Sequence, residues 1–108
     1  MIEALEARLA KLAALQQTTT YGALARDLAI PGPGAIGKLT AALEVLMDED
    51  AARGLPLRAA LCAGRMANGL PAQGFFDKAQ ALGRFTDTDP QNFVSTERDR
   101  LFALYAEN

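Results

Sequence analysis

The 108-residue chain contains no histidine, no tryptophan and a single cysteine, Cys62. Without histidine, Ser-His-Asp triads, histidine-ligated zinc and the usual proton shuttle at neutral pH are excluded. One cysteine forms neither an intramolecular disulfide nor a thiolate-only zinc site, and such sparse cysteine is typical of proteins in a reducing cytosol. We therefore expect a cytoplasmic protein that is not an enzyme and needs no metal or other cofactor.

Long apolar runs are also absent, although 50% of the residues are hydrophobic. A membrane-spanning helix needs roughly 20 consecutive apolar residues, so no membrane association is expected. The first residues are acidic, which argues against a signal peptide. The length fits one domain over residues 1–108, with a core large enough to fold without disulfide or metal support.

Charge is unevenly distributed, although the net charge is only −2. Residues 53–84 carry five basic residues and one acidic residue, whereas residues 1–52 and 85–108 each have a net charge of −3. A basic middle between acidic ends is either a phosphate-facing surface or the electrostatic complement of its own flanks.

The first 17 residues predict an amphipathic helix, because aliphatic residues recur at helical spacing along one stripe. This stripe consists of Ile2, Leu5, Leu9, Leu12 and Leu15. Either it packs on the core of its own chain, or its first four members form a short homodimer seam.

A helix-turn-helix pattern follows. Thr20 is a suitable N-cap for a helix over residues 21–28, and the prolines and glycines of Pro31–Gly34 cannot continue that helix. A longer helix is predicted over residues 35–52. Its expected buried stripe is Ile36, Leu39, Leu43, Leu46 and Met47.

The next segment predicts a β-hairpin over about residues 57–75. Residues 57–63 form a short run without charge after Arg58, and Asn68-Gly69 is a strong hairpin-turn pair. Pro71 limits the returning segment to an irregular edge strand. Together with the preceding helices, this order predicts a mainly α fold with a small β-hairpin: a winged helix-turn-helix.

Two further helices are expected after the hairpin. Helical spacing resumes from Phe75 to Leu82, and Asp89 followed by Pro90 is a typical helix start, so a last helix should run to about Ala106. The predicted winged helix therefore has extra helices at both ends.

Two short motifs, TYGALA at residues 20–25 and PGPGAIG at residues 31–37, carry a family resemblance. They resemble the DNA-binding domain of O6-alkylguanine-DNA alkyltransferases and alkyltransferase-like proteins. The likeness covers roughly residues 18–76 and implies a winged helix that binds DNA. In that family the tyrosine matching Tyr21 contacts the DNA backbone; Tyr21 is otherwise an aromatic staple between the first helices.

The chain departs from this family at the positions that carry its chemistry. Gly34 stands where the family has an arginine that intrudes into the base stack. Cys62 is followed by Ala63 and Gly64 instead of the family's histidine and arginine, so no neighbouring base activates the thiol. Alkyl transfer is therefore not expected, and Cys62 is predicted to be a buried, unreactive residue.

Two functions remain open. The first is weak, salt-sensitive binding of double-stranded DNA by a regulatory protein, in which a homodimer would double the number of phosphate contacts. The candidate DNA contacts are Tyr21, Lys38, Arg58, Arg65 and Lys78. The second is a winged-helix-like protein-interaction module, favoured by the negative net charge and by the acidic residues 44–50.

Overall fold

The computed structural model describes residues 2–64, 68–86 and 88–106, and these residues form a mainly helical domain. The predicted helices are confirmed, with ends that differ by no more than three residues. The elements are α1 (Ile2–Ala14), β1 (Thr19–Thr20), α2 (Tyr21–Asp27), α3 (Ala35–Ala52), a 3₁₀ turn (Arg58–Leu61), β2 (Cys62–Ala63), α4 (Gln73–Ala81) and α5 (Pro90–Leu104).

The predicted helix starts are confirmed at two positions. The Thr20 hydroxyl accepts a hydrogen bond from the Ala23 amide at 3.1 Å, and the Asp89 carboxylate accepts one from the Asn92 amide at 3.1 Å. Each side chain satisfies an amide that has no partner within its helix. Local sequence therefore determines where α2 and α5 begin.

The predicted β-hairpin is wrong. Residues 58–61 form the 3₁₀ turn, and β2 pairs in parallel with β1, with Thr19 opposite Cys62 and Thr20 opposite Ala63. Parallel strands need a long crossover, which here contains α2 and α3. After Gly69 the described residues contain no strand, so they form no antiparallel wing.

The Asn68-Gly69 turn itself has the backbone that the sequence predicts, with φ values of 52° and 83°. Among the described residues, one backbone hydrogen bond crosses this turn, from the Gly64 amide to the Leu70 carbonyl at 2.7 Å. The ladder does not extend because Pro71 has no amide proton and the chain enters α4 directly afterwards.

The centre of the core is the segment that the sequence predicted as a strand. Every residue from Leu57 to Ala63 is buried, and α1, α3 and α5 all contact the 3₁₀ turn. The small side chains of Ala59 and Ala60 allow this close approach. On one side the core ends in an aromatic cluster, in which Phe75 and Phe76 meet edge to face at 5.2 Å between ring centroids.

The apolar stripe of α1 belongs to this core. Leu5 and Leu9 have no exposed surface, and Ile2 and Leu12 are half-buried against the same cluster. The predicted homodimer seam of Ile2, Leu5, Leu9 and Leu12 is therefore wrong, because α5 and the 3₁₀ turn already cover its centre. Leu15, beyond the end of α1, is exposed.

Within the described residues, no helix is both long and apolar enough to cross a membrane.

Candidate nucleic-acid interface

A groove of about 720 Å³ lies beside the first turns of α2 and α3. Its walls come from these two helices, from the end of β2 and from the residue that caps α4. The lining residues are Thr20, Tyr21, Gly22, Arg26, Ile36, Gly64 and Ala72. Arg26 is the one charged side chain among them, so no carboxylate of the described residues lines the groove.

Tyr21 joins two walls of this groove. Its hydroxyl accepts a hydrogen bond from the Ala72 amide at 3.1 Å, which ties the start of α2 to the start of α4. Burial raises the pKa of Tyr21, and the bond from Ala72 acts in the opposite direction. Tyr21 is thus a staple, as one of the two interpretations held, but it joins α2 to α4 rather than to another of the first helices.

These two helices carry two exposed cations, Arg26 in the last turn of α2 and Lys38 in the first turn of α3. Arg26 folds back along α2, so that a Cβ atom placed on Gly22 would lie 3.7 Å from its Nη1 atom. Lys38 lies in the first turn of α3, is exposed, and has no ion pair among the described residues. The α3 N-terminus begins at Gly34, which has a φ of 83° and supplies no side-chain cap. Sequence analysis selected Lys38 and missed Arg26.

Arg58 does not belong to this surface, and its prediction as a DNA contact is wrong. The residue is 9% exposed, and its Nη2 atom lies 2.9 Å from the Asp50 carboxylate. Its Nη1 atom also donates to Glu6 at 3.0 Å. Burial disfavours the charge of Arg58, but these carboxylates outweigh it and raise its pKa. A guanidinium engaged in this way is not available to a phosphate.

Lys78 is engaged elsewhere, and Arg65 lies outside the described residues. Lys78 forms an ion pair with Asp48 at 2.9 Å, which links α4 to the C-terminal half of α3. Asp48 follows Lys38 by ten residues on α3, about 15 Å at 1.5 Å per residue. Lys78 therefore does not join Lys38 in one cationic patch.

Two buried carboxylates that the sequence did not single out hold the connection between α3 and the 3₁₀ turn. Asp50 accepts a hydrogen bond from the Arg58 amide at 2.9 Å, and Glu97 accepts one from the Leu57 amide at 3.0 Å. Arg84 donates to Glu97 at 3.1 Å and to the Leu55 carbonyl at 2.8 Å. Each buried carboxylate thus has both an arginine and a backbone amide as partners. Such partners are needed because burying an unpaired charge or amide is costly.

A sequence signal for both carboxylates existed. Asp50 continues the buried stripe of α3, three residues after Met47, and Glu97 lies three residues after the buried Val94 of α5. A charged residue at a core-facing helical position predicts a buried ion pair, since an unpaired charge there would be very costly.

The prediction that Cys62 is buried is confirmed. Its exposed fraction is 0%, and burial raises the pKa of its thiol from 9.0 to about 12. Because the thiolate is the nucleophilic form, the protonated thiol of the native protein is a poor nucleophile at neutral pH.

We predict that a thiol reagent will label Cys62 only as fast as the native protein unfolds, and that Cys62→Ala will cost about 1 kcal/mol or less. Since the folded pKa lies above the unfolded value, the stability that depends on the protonated thiol is complete below pH 9 and is lost as the pH rises towards 12. Cys62→Ala should reduce this alkaline loss, as measured by urea unfolding at several pH values. Stoichiometric labelling that is faster than unfolding would contradict the prediction.

Comparisons with protein-family models, with curated proteins and with solved structures found no match for this chain. The class that its structure defines is a mainly helical domain with a two-stranded parallel sheet.

Proposed function

We propose that this chain is a small, non-catalytic protein that binds double-stranded DNA with the first turns of α2 and α3. The observation that carries the proposal is a groove that the exposed Arg26 lines and no carboxylate of the described residues lines, with the exposed Lys38 two residues after Ile36 of its wall. The motifs in residues 20–25 and 31–37, which resemble those of a DNA-binding family, lie at this same surface.

The chemistry of this surface suits phosphate. The amides at the start of a helix carry partial positive charge, and the first turn of α3 contains no acidic residue. Lys38, in that first turn, and Arg26, which lines the groove, add two full positive charges. Side chains of this kind position a protein on the DNA backbone. No catalytic step is assigned, because the one cysteine is a buried, protonated thiol.

Binding through this surface should not depend on base sequence. The exposed residues of α3 after Lys38 are Ala41, Val45, Asp48 and Ala52. The first two have no hydrogen-bonding group, and the Thr40 hydroxyl is engaged with the Ile36 carbonyl at 2.7 Å. Base-specific recognition depends mainly on bidentate contacts from Arg, Lys, Asn, Gln, Asp or Glu, and α3 offers few of these.

The test is a fluorescence anisotropy titration of mixed-sequence duplex DNA at several salt concentrations. Two phosphate contacts predict a slope of log K against log salt of about −1.8. Arg26→Ala and Lys38→Ala should each weaken binding on every sequence and reduce the slope by about 1, whereas Lys11→Ala, at an exposed position of α1, should leave both unchanged. Arg65→Ala, measured in the same way, tests the candidate outside the described residues. Absence of binding at low salt would overturn the proposal.

A second candidate function is a protein-interaction module that does not bind DNA. Two large apolar side chains of α3 favour it, since Ile36 and Val45 are each 47% exposed. A wild-type protein that binds no duplex DNA at low salt would leave this candidate as the better account.

A further inference from the structure

From Lys38 onwards α3 has five exposed residues, and the first four of them have a symmetric arrangement. Lys38, Ala41, Val45 and Asp48 are separated by three, four and three residues, so they lie along one seam of the helix. A positive charge stands at one end of this seam, a negative charge at the other, and two small apolar residues lie between them. The arrangement is symmetric about residue 43.

We infer that this α3 seam pairs with the same seam of a second copy, with the two helices antiparallel. A two-fold axis near residue 43 places Lys38 opposite Asp48 of the second copy, and Ala41 opposite its Val45. Two-fold association uses the same patch on both copies, so one favourable contact occurs twice. The spacing of three, four and three residues is also the spacing at which helices pack side by side.

Charge and shape both favour a second copy of the chain as the partner of this seam. In the antiparallel arrangement each Lys38 meets a carboxylate, and the two helix dipoles run in opposite directions. Asp48 already forms an ion pair with Lys78 through its Oδ1 atom, yet its side chain is 56% exposed. Its second oxygen is thus able to accept from Lys38 of the other copy. Ala41 allows the helix axes to approach closely, and the exposed Val45 supplies the apolar area.

The resulting dimer should be weak and reversible. The seam is only about 15 Å long, so it buries much less surface than the roughly 800 Å² per partner of a standard interface. The inference does not depend on the proposed DNA binding, but it bears on it, because the dimer would cover Lys38. Self-association and DNA binding should therefore compete.

The test is sedimentation equilibrium without DNA, from low micromolar to millimolar protein, at low salt. We expect a monomer–dimer equilibrium for the wild type. Lys38→Glu and Asp48→Lys should each lower the association constant by about tenfold or more, because each replaces two attractive contacts by two repulsive ones. The double variant should recover most of the loss. Val45→Glu should also prevent association, and Lys11→Glu should not affect it.

Three outcomes would overturn the inference: a wild type that stays monomeric throughout, a dimer that Val45→Glu leaves intact, or a double variant that associates no better than the single ones. Circular dichroism of each variant shows whether α3 remains folded. Because no DNA is present, failure here is separate from failure of the anisotropy experiment. If the protein both binds DNA and self-associates, dimer formation should compete with DNA binding at high concentrations of the wild type. Val45→Glu should bind DNA without this competition.

Discussion

Asp50→Ala is expected to lower the free energy of unfolding by about 3–5 kcal/mol, the usual cost of breaking a buried ion pair by removing one partner. Asp50 is 1% exposed, and its carboxylate accepts hydrogen bonds from the Arg58 amide at 2.9 Å and from the Arg58 Nε atom at 3.0 Å. Without this carboxylate, the acidic partners of the guanidinium among the described residues are Glu6 and Glu49, both at the rim, with Glu49 3.8 Å away. The total free energy of unfolding of a domain of this size is about 5–15 kcal/mol, so the variant should be close to unfolding.

Urea denaturation followed by circular dichroism measures this effect. Asp48→Ala is the matched control, because Asp48 lies on the same helix but is 56% exposed in its ion pair with the half-buried Lys78. Loss of this pair should cost less than about 1 kcal/mol. Asp50→Asn keeps an acceptor for the Arg58 amide and loses the charge, so its cost should be intermediate. If Asp50→Ala and Asp48→Ala were equally stable, the buried network would not hold the 3₁₀ turn as described.

Leu9→Ala should cost about 2–5 kcal/mol, the range for a leucine truncated in a packed core. Leu9 has no exposed surface and lies in the cluster formed by α1, α5 and the 3₁₀ turn. The lost stability has two parts: the hydrophobic transfer free energy of the methyl groups that are removed, and the cost of the cavity that remains.

Leu15→Ala is the control for this prediction, since Leu15 follows α1 and is 55% exposed. Its free energy of unfolding should change by no more than about 0.5 kcal/mol. The unfolding midpoint of Leu9→Ala should fall equally at low and high protein concentration, because Leu9 stabilises the monomer. A loss that appeared only at high concentration would indicate a seam between two copies instead.

The sequence by itself was sufficient for the helices. Thr20 and Asp89 supply side-chain caps at the starts of α2 and α5, and the residues that follow have helical periodicity. These signals act within a few residues of one another, so no distant part of the chain is needed to interpret them. The burial of Cys62 was predictable for a similar reason, since it lies in an uncharged run.

Part of the candidate site was also predictable. Lys38 lies on the outer surface of α3, as its place outside the apolar stripe indicated. Arg26 was missed because the groove beside it exists only once α2, β2 and α4 are brought together. The roles of Arg65 and of the proposed DNA contact remain predictions.

Only the tertiary structure decided what Arg58, Leu5 and the segment after Leu57 do. A short uncharged run favours a strand equally well whether it pairs with the next segment or with a distant one, and here the partner is Thr19–Thr20, 43 residues earlier in register. Likewise, an apolar stripe such as that of α1 does not specify which surface covers it, and the charge of Arg58 does not specify whether water or carboxylates surround it. These outcomes depend on contacts between residues far apart in the chain, where burial and charge pairing outweigh local preference.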